Sequence, residues 1–300
     1  MKKQSSYHQL LAFMKGPGPF LIPAIIILIG MRAFPFFWQF WLSMTNMRLG
    51  TTGKFIGLQN YAFIFRNPSF FQSIGYTVVF LVSTVGAQML LGLALALLLE
   101  NDFKGKDIYR IFFLIPWVVS GLVVGILWQL MLVETPYGLL NALLIRFGGS
   151  SVAWLSDPMN ARISVIVVYI WKGLGFSMIL LSSGLKTVPL ELIESADIDG
   201  ASYMQKLLKI KIPMMKDIIS VNVIFAVIAS LNSYETVYVL TSGGPGGATN
   251  LIALLMFQTA FGDRNQLGRG AAIGVIMFLI NLVFVLIYVR KVQFGKGAKS

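Results

Sequence analysis

The sequence predicts an all-α membrane protein with six transmembrane helices, on three observations. Apolar residues make up 56% of the 300-residue chain and charged residues 12%, against roughly 45–50% and about 25% in soluble domains. Six stretches each supply the roughly 20 mostly apolar residues that a helix needs to cross a hydrocarbon core of about 30 Å. None alternates strictly between polar and apolar residues, which argues against a β-barrel. Inside lipid the backbone polar groups have only the helix itself to bond to.

The predicted spans run approximately from Phe20 to Leu42, Ile74 to Leu99, Ile111 to Leu132, Ile163 to Leu181, Ile218 to Leu240 and Ala271 to Val289. The first is read as a retained helix. Its apolar run is too long for a cleavable signal, and Phe36, Phe37, Trp38 and Trp41 stand where small residues would be needed for cleavage. Basic residues set the orientation. One side receives Lys2, Lys3, Lys15, Lys104, Lys106, Arg110, Lys186, Lys206, Lys209, Lys211, Lys216, Arg290, Lys291, Lys296 and Lys299, 15 in all; the other receives Arg48, Lys54, Arg66, Arg146, Arg162, Arg264 and Arg269, which are 7. The richer side is expected to be cytoplasmic and to hold both termini. The chain shows no internal repeat and is read as one membrane domain over 1–300.

Composition also excludes chemistry. There is no cysteine, hence no disulfide or thiolate site, and the one histidine, His8, leaves no histidine cluster or Ser-His-Asp triad. The net charge of +12 suits cationic loops at an anionic membrane surface better than a nucleic-acid partner.

The loop between the fourth and fifth predicted spans, about Leu185 to Lys216, is long, charged and patterned. Pro189 opens it, and Glu191, Glu194, Asp197 and Asp199 follow, suiting the positive end of a helix. Gly200 is placed to end that helix in a left-handed turn. A second helix is expected from Ala201 to Lys211, closed by Pro213. Leu192, Ile193, Ala196 and Ile198 interleave with the acids, which suits a surface helix docking in a partner's groove. A solvated connector would need neither the apolar residues nor the two stops.

Glu194-Ser195-Ala196, then Gly200, then Ile210-Lys211-Ile212-Pro213 resembles the EAA loop of ABC importer permeases: Glu-Ala-Ala, three residues, Gly, nine residues, Ile-x-Leu-Pro. Ser195 and Ile212 depart from that pattern and the spacing matches throughout. Gly57-Leu58-Gln59-Asn60-Tyr61, Pro116 with Trp128, Trp154-Leu155-Ser156-Asp157-Pro158, Asp199-Gly200-Ala201 and Leu240-Thr241-Ser242-Gly243-Gly244-Pro245 extend the likeness over nearly the whole chain. It is similar to the maltose and glycerol-phosphate group of carbohydrate permeases. The resemblance implies a type I importer permease fold, with a core at about 70–290 and a cytoplasmic coupling helix in the loop at about 185–216. Glu194, Ser195, Ala196, Gly200, Ile210 and Pro213 would then carry the coupling to an ATPase. The partners implied are a second homologous permease, a cytoplasmic ABC ATPase dimer and an extracytoplasmic solute-binding protein. No cofactor is implied in this chain. ATP and Mg would sit on the ATPase, and the sequence has no Gly-x4-Gly-Lys-Ser/Thr loop of its own. The location implied is the cytoplasmic (inner) membrane of a bacterium or archaeon.

Two charges fall within predicted spans. Arg32 is expected to snorkel or to face a wet cavity. Lys172 is expected either to line the translocation path or to pair internally, with Glu235 as the candidate partner about 8 Å away in depth. Trp171, Lys172, Asn232, Tyr234 and Glu235 are the candidate path residues, offering aromatic faces and hydrogen bonds to a sugar or sugar derivative. Gly243 to Gly247 is expected to be an outer loop that meets the binding protein. A self-sufficient six-span secondary transporter or channel is the alternative. It would need no Glu194 to Pro213 loop and would show internal repeats or helices broken at mid-membrane.

Overall fold

The computed structural model describes residues 18–262 and 265–297, with side chains over 20–262 and 265–290. Lys2, Lys3, His8, Lys15, Arg264 and the side chains of Lys291, Lys296 and Lys299, named above, lie outside the described residues. The helices run in the order α1 (Phe20–Ser43), α2 (Gln59–Ile64), α3 (Pro68–Leu98), α4 (Lys106–Val118), α5 (Gly121–Met131), α6 (Leu139–Arg146), α7 (Pro158–Leu185), α8 (Leu190–Ile198), α9 (Tyr203–Met214), α10 (Lys216–Leu231), α11 (Glu235–Thr241), α12 (Ile252–Phe261) and α13 (Leu267–Gly297). Among the described residues the only strand-like pairing is an isolated bridge between Thr45 and Phe55.

Four helices are long and apolar enough to cross a membrane alone: α1, α3, α7 and the Leu267–Arg290 part of α13. The third and fifth predicted spans are corrected by the structure. α4 and α5 meet at 101°, and α9 and α10 meet at 71°; the span count reaches six when each bent pair is one span. The fifth predicted span does not run on to Leu240. α10 stops at Leu231, and the helix restarts at Glu235. Local chemistry explains both breaks. Pro116 sits two residues before the end of α4, where it takes a donor from the helix ladder. At the end of α10 the Ile228 carbonyl accepts both the Asn232 N–H at 3.1 Å and the Asn232 side-chain amide at 2.8 Å, a local side-chain bond that competes with continuing the helix.

Helix starts follow their caps. Asn67 accepts from the Ser69 N–H at 3.0 Å ahead of Pro68. Asp157 accepts from the Met159 and Asn160 N–H groups at 3.0 and 2.9 Å ahead of Pro158. Both prolines occupy a first-turn position that needs no N–H. These caps extend α3 and α7 well beyond the apolar stretches that predict them.

α3 and α7 pack along one another at the centre. A Cβ on Gly92 would come within 2.8 Å of the Ser177 Cβ, so only glycine allows this approach. Phe80, Val124, Val165, Val168, Val237 and Leu254 fill the main core around them. α12 is too short to span, yet Ile252, Ala253 and Leu254 are buried, and it packs under α13 and α3. α1 lies at the periphery, held to α13 by Phe36 edge-on to Phe278 at 4.9 Å. Arg32 is exposed, in a π-turn at Ile29–Ala33 on that helix.

Two faces separate cleanly. On one, Lys211 of α9 bonds Glu100 after α3, and Lys186, Lys106 and Arg110 share one charged depression. On the other, Gly268 bonds Met47 at 3.0 Å and Arg162 bonds the Ala248 carbonyl at 2.9 Å. Lys106, Arg110, Lys186 and Lys211 thus lie near one another around the end of α3.

Candidate functional site

Two places on the chain carry the candidate residues: a surface segment at α8 and α9, and a cavity beside α7.

α8 ends in a full glycine cap. The Gly200 N–H donates to the Asp197 carbonyl at 3.1 Å, and the Ala201 N–H reaches the Ala196 carbonyl at 2.9 Å. Gly200 has φ +71° with nothing within 4 Å of where a Cβ would sit. Its backbone conformation, not crowding, demands glycine. α9 begins two residues later than the sequence suggests. Ser202 is its cap: the Ser202 N–H donates to Gln205 Oε1 at 2.7 Å, and the Gln205 N–H to Ser202 Oγ at 3.3 Å, a reciprocal box. Pro213 does not close the helix. It lies in the first turn of the short Ile212–Met214 segment after a π-turn at Leu207–Lys211, and the sharp turn of the chain comes at Met215.

Of the coupling candidates, Glu194, Ser195, Gly200 and Pro213 are exposed, Ala196 is buried and Ile210 is half-buried. Lys206 pairs with Asp197 across the turn. Lys211 is itself buried and donates to both carboxylate oxygens of Glu100 at 2.7 Å, bolting the segment to the end of α3. The outer surface of the turn is apolar. Ile198 is 88% exposed, and Leu190, Tyr203, Met204 and Leu208 are exposed around it. An exposed apolar cluster of this kind, at a turn on a charged face, is the sort of surface that a partner covers.

The cavity beside α7 has a volume of about 410 Å³, within the size range of small-molecule sites. Gln88, Trp117, Tyr169, Lys172, Phe176, Phe225 and Ser230 line it. Trp117 stacks on Phe176 at 5.1 Å, and Phe176 meets Phe225 edge-on at 5.8 Å. Gly173 makes room for the Gln88 amide, which a Cβ there would meet at 2.2 Å. That amide donates to the Tyr169 carbonyl at 2.9 Å.

Lys172 Nζ and Glu235 Oε2 both lie near Gly121, but Glu235 is exposed and no ion pair within 4 Å joins the two. A Cβ on Gly121 would stand 3.0 Å from Glu235 Oε2, 3.0 Å from Thr236 Oγ1 and 3.1 Å from Lys172 Nζ. Glu235 stands at the start of a separate helix, α11, beyond the break at Asn232. The other path candidates disperse. Trp171 meets Trp128 edge-on at 5.6 Å. Asn232 opens into a second cavity of about 450 Å³ with Gln39, Gly274 and Asn281. Tyr234 stacks on Phe257 at 4.7 Å within the core. Sequence reasoning missed Gln88, Trp117, Phe176 and Gly121. Gln88 inside an apolar run was the visible signal, whereas Gly121 acquires meaning only once three helices meet at it.

On the opposite face Glu134 clasps the loop before α7. Its Oε1 accepts from the Leu155 and Ser156 N–H groups at 2.7 and 2.6 Å, and its Oε2 from the Ser156 hydroxyl at 2.6 Å. Partial burial pushes this carboxyl up, but the bonds from Ser156 and Leu155 outweigh it and hold the group below the ordinary glutamate range. The Gly243 to Gly247 run is a tight turn, with Gly243, Gly246 and Gly247 all at positive φ.

Comparison with known proteins agrees with this architecture. Residues 88–292 match the family described as binding-protein-dependent transport system inner membrane component. The chain is 34% identical over 277 residues to the trehalose/maltose transport system permease protein MalF of Thermococcus litoralis, covering 92% of this chain and 93% of that one. It is 34% identical to the multiple sugar-binding transport system permease protein MsmF of Streptococcus mutans, over 87% of this chain and 89% of the relative. The fold is similar to a chain of a bacterial alginate ABC transporter solved with an alginate pentasaccharide-bound periplasmic protein, with TM-score 0.77, 21% identity and coverage of 95% and 94%. Helix breaks, expected above of a secondary transporter, therefore occur in an importer permease too and do not separate those readings. The chain belongs to the family of inner membrane components of binding-protein-dependent transport systems, as a permease subunit and not an enzyme.

Proposed function

We propose that this chain forms one wall of the translocation path of an ATP-driven sugar importer, and that α8 with Gly200 is the element through which an ATPase moves it. The observation that carries the reading is the rigid, glycine-capped turn with Ile198 exposed at its tip. The sugar-transport names of its relatives support the substrate class. A second homologous permease completes the path, an ABC ATPase pair holding ATP and Mg docks on α8, and an external binding protein delivers solute near the Gly243 to Gly247 turn. The basic face is cytoplasmic and holds both termini. ATP binding closes the ATPases and favours the outward-facing arrangement of the permease pair, because the partner binds one arrangement better than the other.

Within the membrane, Lys172 and Glu235 stand at the path beside Gln88 and the aromatic wall. Trp171 and Asn232 flank it, and Tyr234 acts through core packing. At the coupling surface Glu194 meets polar groups of the ATPase, Ser195 lies beside it, Ala196 anchors α8, and Ile210 and Pro213 set the arm behind it.

The test combines Glu194→Lys with Gly200→Pro in the native host. The variant chain should reach the membrane and lose uptake and ATPase co-purification together. Full uptake by the variant refutes the coupling assignment. Purification of a transport-competent single chain refutes the importer assembly.

A further inference from the structure

We infer that the second cavity, the one beside Asn232, is a further site for the sugar, which it binds by accepting hydrogen bonds from the sugar hydroxyls. The inference rests on the importer reading above and adds a site to it.

The cavity has a volume of about 450 Å³. Three carboxamides line it: Gln39 of α1, Asn232 at the end of α10 and Asn281 of α13. Ile228, Met256 and Phe278 supply apolar wall, and no charged residue contributes. α10 separates it from the cavity beside α7. Ile228 and Asn232 line this one, whereas Ala226, Ala229 and Ser230 line the other.

The three carboxamides are set alike. Each directs an N–H to a backbone carbonyl: Gln39 Nε2 to Ala271 at 3.5 Å, Asn232 Nδ2 to Ile228 at 2.8 Å and Asn281 Nδ2 to Met277 at 3.0 Å. Turning any of them over would set two oxygens against each other, so the network fixes their orientation. Three amide oxygens remain, and none accepts a hydrogen bond from the described residues. The Asn281 Oδ1 is buried as well. A buried acceptor without a donor costs free energy, and at membrane depth no solvent relieves it. Gly274 makes room for this arrangement. A Cβ there would meet Gln39 Nε2 at 2.1 Å.

The wall therefore asks for donors. It has no charge to hold an anion, and its oxygens would repel one. A sugar brings hydroxyl donors for the oxygens and C–H faces for Phe278 and Ile228. An alkali ion also favours amide oxygens, but methionine sulfur beside them is a poor match for a hard cation.

The chain has no cysteine, so a single introduced one reports on the cavity. Ile228→Cys marks the wall, and Val221→Cys, on the same helix but lining neither cavity, is the control. Host membranes holding the complete importer are treated with a water-soluble maleimide, with and without trehalose, maltose, maltotriose or sorbitol. A probe that the wild type takes up should slow labelling of Ile228→Cys at least about fivefold, as site occupancy requires, and leave Val221→Cys unchanged. Adding Asn281→Leu should abolish that protection. Gln39→Leu, on another helix, tests the same acceptor set should Asn281→Leu fail to reach the membrane. Unchanged labelling of Ile228→Cys in a transported sugar overturns the inference and leaves the importer standing. Protection that survives the leucine variants does the same, and so does a cavity that the maleimide never enters. Protection by sodium or potassium chloride without sugar gives the site to an ion, and labelling that rises only on lipid depletion gives it to a lipid headgroup; each overturns the inference. Uptake of none of the four probes sinks the sugar reading on which it rests.

Discussion

The Thr236 hydroxyl donates to the Gly121 carbonyl at 3.0 Å, joining the second halves of two broken spans. Gly121 and Gly125 lie on the face of α5 that meets α11, a small-x3-small spacing that lets helices approach closely in membranes. A Cβ on Gly125 would meet the Val239 Cβ at 2.9 Å and the Thr236 carbonyl at 3.1 Å. A Cβ on Gly121 would meet only side-chain ends, which can move. Gly125→Ala should therefore cost about 1–3 kcal/mol through overpacking, read as a lower melting point in detergent. Gly121→Ala should melt nearly normally but cut uptake more deeply, since its methyl enters between Lys172 and Glu235. The reverse order would disprove this division of roles.

Lys211 is buried and depends on Glu100 for both of its carboxylate contacts. Glu100→Gln leaves an ammonium with a weakened partner at a cost of about 1.5–3 kcal/mol, typical of a charged hydrogen bond. The purified complex should melt lower by differential scanning fluorimetry. Glu100→Lys with Lys211→Glu should recover more than half of the loss. A double variant no better than the single ones would show that the pair does not hold α9 to α3.

Gly200 and Ile198 separate shape from contact. Gly200→Ala places a Cβ in the left-handed region, at about 1–2 kcal/mol, and should weaken coupling by misdirecting α8. Gly200→Asn should be milder, because asparagine tolerates that conformation. Ile198→Asp changes an exposed side chain and should leave melting unchanged. It should still reduce transport-coupled ATP hydrolysis at least about tenfold. A normal hydrolysis rate in Ile198→Asp would remove this tip from the ATPase interface.

Glu134 gives a pH signature on the other face. Its folded carboxyl titrates below the ordinary glutamate value of 4.5, so the clasp adds stability above that value and loses it as pH falls further. Melting of the wild type should therefore drop on acidification in this range. Glu134→Gln, which keeps the shape and one acceptor, should melt lower at neutral pH and show a shallower acid drop. Parallel pH curves for the two proteins would exclude Glu134 as a source of the dependence.

Much of this architecture is legible in the residues. Long apolar runs locate the spans, Asn67-Pro68 and Asp157-Pro158 sign the helix starts, and Gly200 signs its turn because one backbone conformation demands it. The breaks at Ser120 and Asn232 were read through as continuous helix, since Gly121 and Ser233 are also common in unbroken spans and hydropathy averages over them. α12 escaped for a related reason. Its ten residues, Ile252–Phe261, are apolar but too few to cross, and only burial under α13 explains them. The nearness of Lys172 and Glu235 in depth is legible as an estimate of about 8 Å. The convergence on Gly121 is not, because it depends on three helices far apart in the chain.

The 31 residues of α3 make a rod about 46 Å long at 1.5 Å per residue. One end is bolted to α9 through Glu100 and Lys211. Near the other, Thr77 accepts from the Ile252 N–H at 3.0 Å, just beyond the Gly243 to Gly247 turn. A tilt of about 5° at one end would carry the far end sideways by roughly 4 Å. The contacts at the two ends of α3 are thus linked by one stiff rod, which would carry a displacement from one end to the other.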